Sequence, residues 1–146
     1  MNHSPCVILR NWLVSKGHFI LPSSAGTWPL YSTFLPDIAP DNTGCVYDGP
    51  PQIDARAMQT GEITQHFLVT LRLRCVPGDY NTGYVKLLGI MEALGLISRE
   101  TVTVDSSTYT LCAVTNLSGV VSLGVEGDTK RRRLFEMELS LSIEAP

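Results

Sequence analysis

The most distinctive chemical group in this sequence is a run of cations ahead of its last apolar segment. Lys130, Arg131, Arg132 and Arg133 are consecutive and directly precede LFEMELSLSIE. Lysine and arginine side chains can neutralise the phosphates of a nucleic acid, or they can pair with carboxylates of another protein. The cluster therefore indicates either a nucleic-acid contact or the charged start of a strand in a protein that binds other proteins.

A second set of charges has strand spacing. Arg72 and Arg74 lie two residues apart in TQHFLVTLRLRC, and Glu136 and Glu138 have the same spacing in the last apolar segment. Alternate residues of a β-strand point to the same face of a sheet. If these two strands pair side by side, we expect the charges and the cluster at residues 130–133 to share one sheet face or rim. We predict that this surface faces a neighbouring subunit.

The overall charge argues against extensive nucleic-acid binding. Eleven Lys and Arg face fourteen Asp and Glu, for a net charge of -3. Neutralising about four phosphates would give only weak, salt-sensitive and sequence-independent binding. A small nucleic-acid-binding module therefore remains an alternative, whereas opposite charges on two subunits would set their register and choice of partner.

The residues that most often carry catalysis are scattered. His3, His18 and His66 lie in an end segment, a helix exit and a strand, without the spacing of a catalytic or metal-binding motif. The glycines form no phosphate-binding loop. The cysteines have no C-x-x-C pair and are predicted to be reduced thiols of the core: Cys6, Cys45, Cys75 and Cys112. We therefore expect a protein that is not an enzyme and has no metal or cofactor.

Length and composition predict one globular domain over residues 1–146. The chain is 44% apolar and 17% charged, and a domain of this length buries a stable core without disulfides or metals. No apolar run approaches the roughly 20 residues that cross a bilayer. Residues 1–20 also lack the apolar centre of a signal peptide, so we expect a soluble, cytosolic protein.

Hydrophobic periodicity and capping signals predict the elements that position these residues. A helix follows Ser4-Pro5, and a second helix begins after Asp79 or Asn81. Strands are predicted over residues 44–48, 64–75, 101–104 and 109–114 and in the last segment. Segment 21–42 is predicted as a loop with short extended pieces at most, and segments 49–61 and 116–128 are predicted as loops. The fold class is α+β, with a mainly antiparallel sheet of four to five strands packed against two helices.

The order of these features resembles a known group of proteins. A short N-terminal helix and a proline-rich loop precede the strand GCVYDG and the strand LVTLRLRC. A turn with Tyr80 and Tyr84 then leads into a helix, and a basic residue opens the final strand FEMELSLSIE. This arrangement resembles the tail terminator and minor capsid (head-tail joining) proteins of long-tailed bacteriophages.

The resemblance implies a small α+β subunit of the virion, at the junction of tail and neck, assembled in the host cytoplasm. It implies a hexameric ring that caps the tail tube, stops its polymerisation and joins the tail to the head connector. The implied partners are other copies of the chain, the tail tube protein and a neck or connector protein, with transient contact to DNA in the lumen and none to a membrane. In such a ring the predicted charged surface would face either a neighbouring subunit or the lumen. A neck-side stopper is the alternative within this group. We expect charge reversal at Arg131 to Arg133 to impair assembly and leave the monomer folded.

Overall fold

Two helices and eight strands form within residues 1–50, 52–56 and 63–145, which this computed structural model describes. The helices are α1 (Pro5–Ser15) and α2 (Tyr80–Gly95). The strands are β1 (Leu30–Ser32), β2 (Thr43–Asp48), β3 (Gln52–Arg56), β4 (Ile63–Cys75), β5 (Glu100–Val104), β6 (Ser107–Asn116), β7 (Val121–Val125) and β8 (Arg133–Glu144). The predicted α+β class with a mainly antiparallel sheet is confirmed.

The strands form one mixed sheet with the order β1-β2-β4-β8-β6-β5. Beside this path, β3 pairs with β4 and β7 pairs with β8. Only the short pair β1 and β2 is parallel among the described strands. The two long strands lie at the centre, and their register places Arg72 opposite Glu136 and Cys75 opposite Arg133.

Both helices pack on the same face of this sheet. Helix α1 contacts β1, β2, β4 and β5, and α2 contacts β4, β6 and β8. The alternating apolar residues of the central strands, such as Leu71, Leu73 and Met137, are fully buried with the apolar faces of the helices. Burying one such side chain contributes about 1.5–3 kcal/mol. This core holds the central strands in the register that sets the positions of the charged residues.

Two short strands correct the sequence-based prediction, because β3 and β7 lie in segments expected to be loops, whereas the three-residue β1 is a short extended piece of the kind expected in segment 21–42. Strand β1 falls within segment 21–42, β3 within segment 49–61 and β7 within segment 116–128. Residues 51 and 57–61 of the second segment lie outside the described residues. Each of these strands pairs with a longer one: β1 with β2, β3 with β4 and β7 with β8. The pairings of β3 and β7 each contain a shift in register. The sheet therefore has more strands than the four to five expected.

The two helix starts use different caps. Ser4 precedes α1 but makes no capping hydrogen bond with its side chain. Instead, the carboxylate of Asp48, at the end of β2, accepts a hydrogen bond from the Cys6 backbone N–H at 2.8 Å. This contact satisfies an N–H group that has no partner within the helix, and it ties α1 to the sheet. Neither helix in the described part of the chain is long and apolar enough to cross a membrane.

The cap of α2 makes a prediction about acid stability. The Asp79 side chain accepts hydrogen bonds from the Thr82 N–H at 3.1 Å and the Thr82 hydroxyl at 2.5 Å, and the hydroxyl and backbone bonds hold the pKa of this carboxyl below its usual range. Because the folded-state pKa is depressed, the stabilisation is complete above the unfolded-state pKa of about 3.9 and is lost as the pH falls through the folded-state value. We expect Asp79→Ala to lower the thermal midpoint at neutral pH.

The difference between Asp79→Ala and the natural protein should shrink in strong acid, because protonation weakens the cap of the natural protein, whereas the variant has no cap at any pH. Thermal unfolding followed by circular dichroism between pH 2 and pH 7 measures this convergence. Asp79→Asn is the matched control, since asparagine caps helices about as well as aspartate but does not titrate. A constant difference for Asp79→Ala across this range would contradict the role of the carboxylate.

Candidate functional site

The sheet face that points away from both helices carries four of the eight predicted interface residues: Arg72, Arg74, Glu136 and Glu138. We call it the outer face; on the central strands it presents Thr70 and Arg72 from β4 and Glu136 and Glu138 from β8. These residues are paired across the strands, Thr70 with Glu138 and Arg72 with Glu136. No described helix covers them, so the outer face is available to a partner except where a loop crosses it.

The Arg72 side chain is satisfied within its own subunit. Its Nε and Nη2 atoms donate to Glu136 Oε2 at 3.1 and 2.6 Å, and its guanidinium lies 5.6 Å from the centre of the Tyr47 ring. The Arg72 and Glu136 side chains are 38% and 21% exposed, so solvent screening limits the contribution of this ion pair to stability to about 0–1 kcal/mol. The pair therefore shapes the outer face rather than holding the fold together.

Arg74 has a different environment from Arg72, although both lie on the same side of β4. It is 1% exposed, and its Nη2 atom donates to the carbonyl oxygens of Pro36 at 2.8 Å and Ala39 at 3.2 Å. Its Nη1 atom lies 3.7 Å from Glu126 Oε1. Burial, followed by the like charge of Arg132, lowers the pKa of Arg74, but a guanidinium titrates so far above neutral pH that it stays charged. Arg74 thus fixes the proline-rich loop over one end of the outer face.

Arg132 holds the same loop from the other side. It is also 1% exposed; its Nε donates to Glu126 Oε2 at 2.8 Å and its Nη1 to the Asp37 carbonyl at 3.2 Å. The Lys130 ammonium donates to the same carbonyl at 3.1 Å. The carbonyl oxygens of residues 36, 37 and 39 therefore bind the side chains of Arg74, Lys130 and Arg132, which are all distant from the loop in sequence. We call residues 34–39 the clamped loop.

The clamped loop presents large apolar side chains to solvent. Ile38 is 94% exposed and Phe34 is 67% exposed. Scattered apolar residues are normal on a protein surface, but here the backbone that carries them is fixed by buried arginines. A rigid loop with exposed apolar side chains is suited to binding another protein, because little conformational entropy is lost on association.

The remaining cations of the cluster lie in separate environments. Arg131 is exposed in the turn between β7 and β8, with a positive φ of 49°, and the Asp128 carboxylate accepts hydrogen bonds from the Lys130 and Arg131 N–H groups at 3.1 and 3.2 Å. Arg133 lies 5.6 Å from the centre of the Tyr80 ring. The six predicted cations therefore do not form one basic surface. Their role at a subunit boundary or lumen remains a prediction, most directly for the exposed Arg131.

A shallow pocket lies on the outer face beyond the clamped loop. Its volume is about 130 Å³, and Leu68 of β4 and the exposed Leu117 contribute to its apolar lining. Glu138 also lines it and is exposed, with no ion pair to its carboxylate among the described residues. The full lining is Gly49, Pro50, Leu68, Val69, Thr70, Leu117, Glu138 and Leu139.

Sequence reasoning did not identify this pocket or Ile38. A signal for the pocket was present, because Leu68 is the single large apolar residue among the outward positions His66, Leu68, Thr70 and Arg72 of β4. For Ile38 the only signal was an isolated apolar residue between Pro36 and Pro40. Neither signal is specific without the spatial arrangement.

The cysteine thiols lie mostly in the core. All four cysteines are free thiols, and Cys6, Cys45 and Cys75 are buried whereas Cys112 is half-buried. Burial raises the pKa of Cys45 to about 11 and that of Cys75 to about 12, so these thiols stay protonated and inert at neutral pH. In the described part of the chain, no group of three or more His, Cys, Asp or Glu is arranged to hold a metal ion.

Comparisons with known proteins bear on the fold. No family model matches the sequence, and no curated protein matches it. Fourteen chains of solved structures are similar. One of them aligns over 96% of this chain and 90% of its own length, with a TM-score of 0.50 and 10% sequence identity. At this identity the similarity concerns the fold alone: the architecture of this chain, over nearly its whole length, also occurs in another protein.

Proposed function

We propose that this chain is a structural protein of a phage tail, without enzymatic activity, that forms a ring on the end of the tail tube. The ring would stop polymerisation of the tube and join the tail to the head connector. The observation that carries the proposal is the clamped loop. Arg74 and Arg132, although charged, are buried in order to fix a loop that displays Ile38 and Phe34 to solvent.

Burial of two cations for this purpose is costly, since removing an ion from water is offset only by good hydrogen bonds and opposite charge. We therefore attribute a function to the fixed position of the loop, namely the binding of another protein through its exposed apolar side chains. The open outer face, with its pocket and the exposed Glu138, supplies a second surface of different shape. Two different surfaces on one subunit favour head-to-tail association, which closes into a ring when the rotation between subunits permits.

The same surfaces also suit a neck-side stopper, which is likewise a ring of small α+β subunits. The location of the ring on the assembled particle separates these two functions: a terminator lies against the last layer of the tail tube, and a stopper lies against the connector. The nucleic-acid-binding module is weakened as an alternative, because Arg74 and Arg132 are not available to phosphates. Fewer phosphate contacts reduce both the affinity and its dependence on salt.

The test is the mass of the assembled species, measured by light scattering on the isolated protein and by electron microscopy with tail tubes of the cognate tube protein. We expect rings of six subunits, free or at tube ends, and shorter tubes when the chain is present during polymerisation. A strictly monomeric protein that also fails to bind tube ends would contradict the proposal. A parallel titration of duplex DNA against salt tests the alternative, and binding that survives 200 mM salt would favour it.

A further inference from the structure

We infer that neighbouring subunits contact each other by insertion of Ile38 of one copy into the outer-face pocket of the next copy. The inference rests on the proposed function, which requires that copies of the chain close into a ring, and it names the contact that joins two copies. It is carried by an exposed apolar side chain on a rigid loop, a pocket of matching size elsewhere on the same chain, and opposite charges beside the two.

Ile38 has the properties of an anchor residue. It is 94% exposed, and the carbonyl groups on either side of it in the loop are fixed by Arg74, Arg132 and Lys130. Anchor residues that are already in their bound position before association lose little entropy on binding. A mobile loop would not position one side chain in this way.

The pocket has the size and lining for one aliphatic side chain. An apolar cavity of roughly 150 Å³ accommodates a benzene molecule, so the volume of about 130 Å³ suits a branched aliphatic group. Leu68 and Leu117 supply apolar surface. Burial of an isoleucine against them would follow the ordinary hydrophobic driving force.

The Ile38 of the same chain does not fill this pocket. The clamped loop is bound to Arg74, whereas the pocket lies beside Val69 of the same strand. Five residues of β-strand separate these positions by roughly 16 Å, and the exposure of Ile38 shows that it is not inserted. An anchor and a pocket at different places on one subunit give a head-to-tail contact, which forms rings or filaments rather than symmetric dimers.

Two cations beside the anchor have the opposite charge to a carboxylate at the pocket. Lys130 is hydrogen-bonded to the Asp37 carbonyl, next to Ile38, and Arg131 is exposed beside it. Glu138 is exposed at the pocket. The carboxylates of Asp37 and Asp128 are also exposed near the anchor, so the charges there are mixed. We therefore expect them to fix the orientation of the contact more than to supply its affinity.

Disulfide crosslinking tests the contact directly. In a Cys112→Ser background, chains carrying Ile38→Cys are mixed with chains carrying Leu117→Cys and exposed to oxidised glutathione. We expect a covalent dimer that contains one chain of each kind, at least tenfold more abundant than with Leu96→Cys in place of Ile38→Cys. Leu96 is a suitable control because it is 83% exposed and follows α2, away from the clamped loop. A chain with both Ile38→Cys and Leu117→Cys should give covalent multimers up to the closed ring.

A second pair of variants measures the contribution of the anchor. We expect Ile38→Asp to raise the dissociation constant for self-association at least tenfold and Leu96→Asp to change it by less than twofold, as measured by analytical ultracentrifugation. Both side chains are exposed, so neither variant should shift the unfolding midpoint of the monomer.

The outcomes separate this contact from the function itself. Rings that form without the 38–117 disulfide and are insensitive to Ile38→Asp would overturn the contact and leave the proposed function standing. A wild-type protein that neither self-associates nor binds tube ends would overturn both. Open covalent chains that never close would support the contact and contradict the ring.

Discussion

Replacing Arg132 with glutamate is expected to lower the free energy of unfolding by about 3–5 kcal/mol, because it breaks an ion pair at a buried guanidinium and places a second carboxylate beside Glu126, which then keeps only the longer contact to Arg74. The guanidinium is 1% exposed and donates to Glu126 at 2.8 Å and to the Asp37 carbonyl at 3.2 Å. A carboxylate at this position would face Glu126 and would have no hydrogen to donate to the carbonyl.

Arg131→Glu is the matched control, since it makes the same change of charge one residue away. Arg131 is exposed, and surface substitutions usually change stability by less than about 0.5 kcal/mol. Urea unfolding of both variants, followed by circular dichroism, measures the difference. Equal losses in the two variants would show that burial of Arg132 does not determine the result.

This difference changes how the basic cluster should be tested. Simultaneous reversal of Arg131, Arg132 and Arg133, which the sequence suggests as an assembly mutant, would combine a loss of fold with any loss of contact. Arg131→Glu alone reverses a charge beside the clamped loop and keeps the monomer intact. An assembly defect in that variant can therefore be attributed to the surface.

The central part of the fold was predictable because its signals are local. Strict alternation over β4 and β8 identifies two long strands with one buried face. Pro5 at the first position of α1 and the Asp79 cap of α2 mark the starts of the two helices. The hairpin of β5 and β6 follows from the turn at Asp105 and Ser106. Each of these signals arises from residues a few positions apart, so no knowledge of the tertiary structure is needed.

The rest depended on contacts between distant segments. Strand β7 has only five residues, includes a glycine and is exposed along its length, so its alternating apolar residues are not buried in the core. Its conformation follows from pairing with β8. Arg74 has the same spacing as an outward residue, yet a loop from 35 residues earlier covers it. Alternation predicts the face of a sheet on which a residue lies, but it does not predict whether that face is covered.

The same reason explains which site residues were found. Arg72 and Glu136 could be expected together once their strands were paired, because both follow the same two-residue period. A contact between Ile38 and the pocket can be inferred only from the structure, which shows that the loop is held in place and that Ile38 does not enter the pocket of its own chain. Rigidity, exposure and distance are properties of the folded chain.

Replacing Gly83 with alanine is expected to lower the free energy of unfolding by about 1–3 kcal/mol through overpacking, even though alanine is the better helix former by about 1 kcal/mol. Gly83 lies in the first turns of α2, where the helix meets the ends of β4 and β8. A methyl group there would overlap the Cys75 sulfur and come within 2.6 Å of the Phe135 ring. Because both neighbours are fully buried, they have little room to move.

Gly89 in the same helix is the matched control. It is exposed, and a methyl group added there meets nothing within 4 Å. Gly89→Ala should therefore stabilise the protein by about 0.5–1 kcal/mol through helix propensity alone. Urea unfolding measures the change in the free energy of unfolding for each variant. If α2 packs this closely on the sheet, the change has opposite signs in Gly83→Ala and Gly89→Ala. A stabilising Gly83→Ala would mean that the helix lies further from Phe135, and the end of the sheet that carries Arg133 would then be positioned differently.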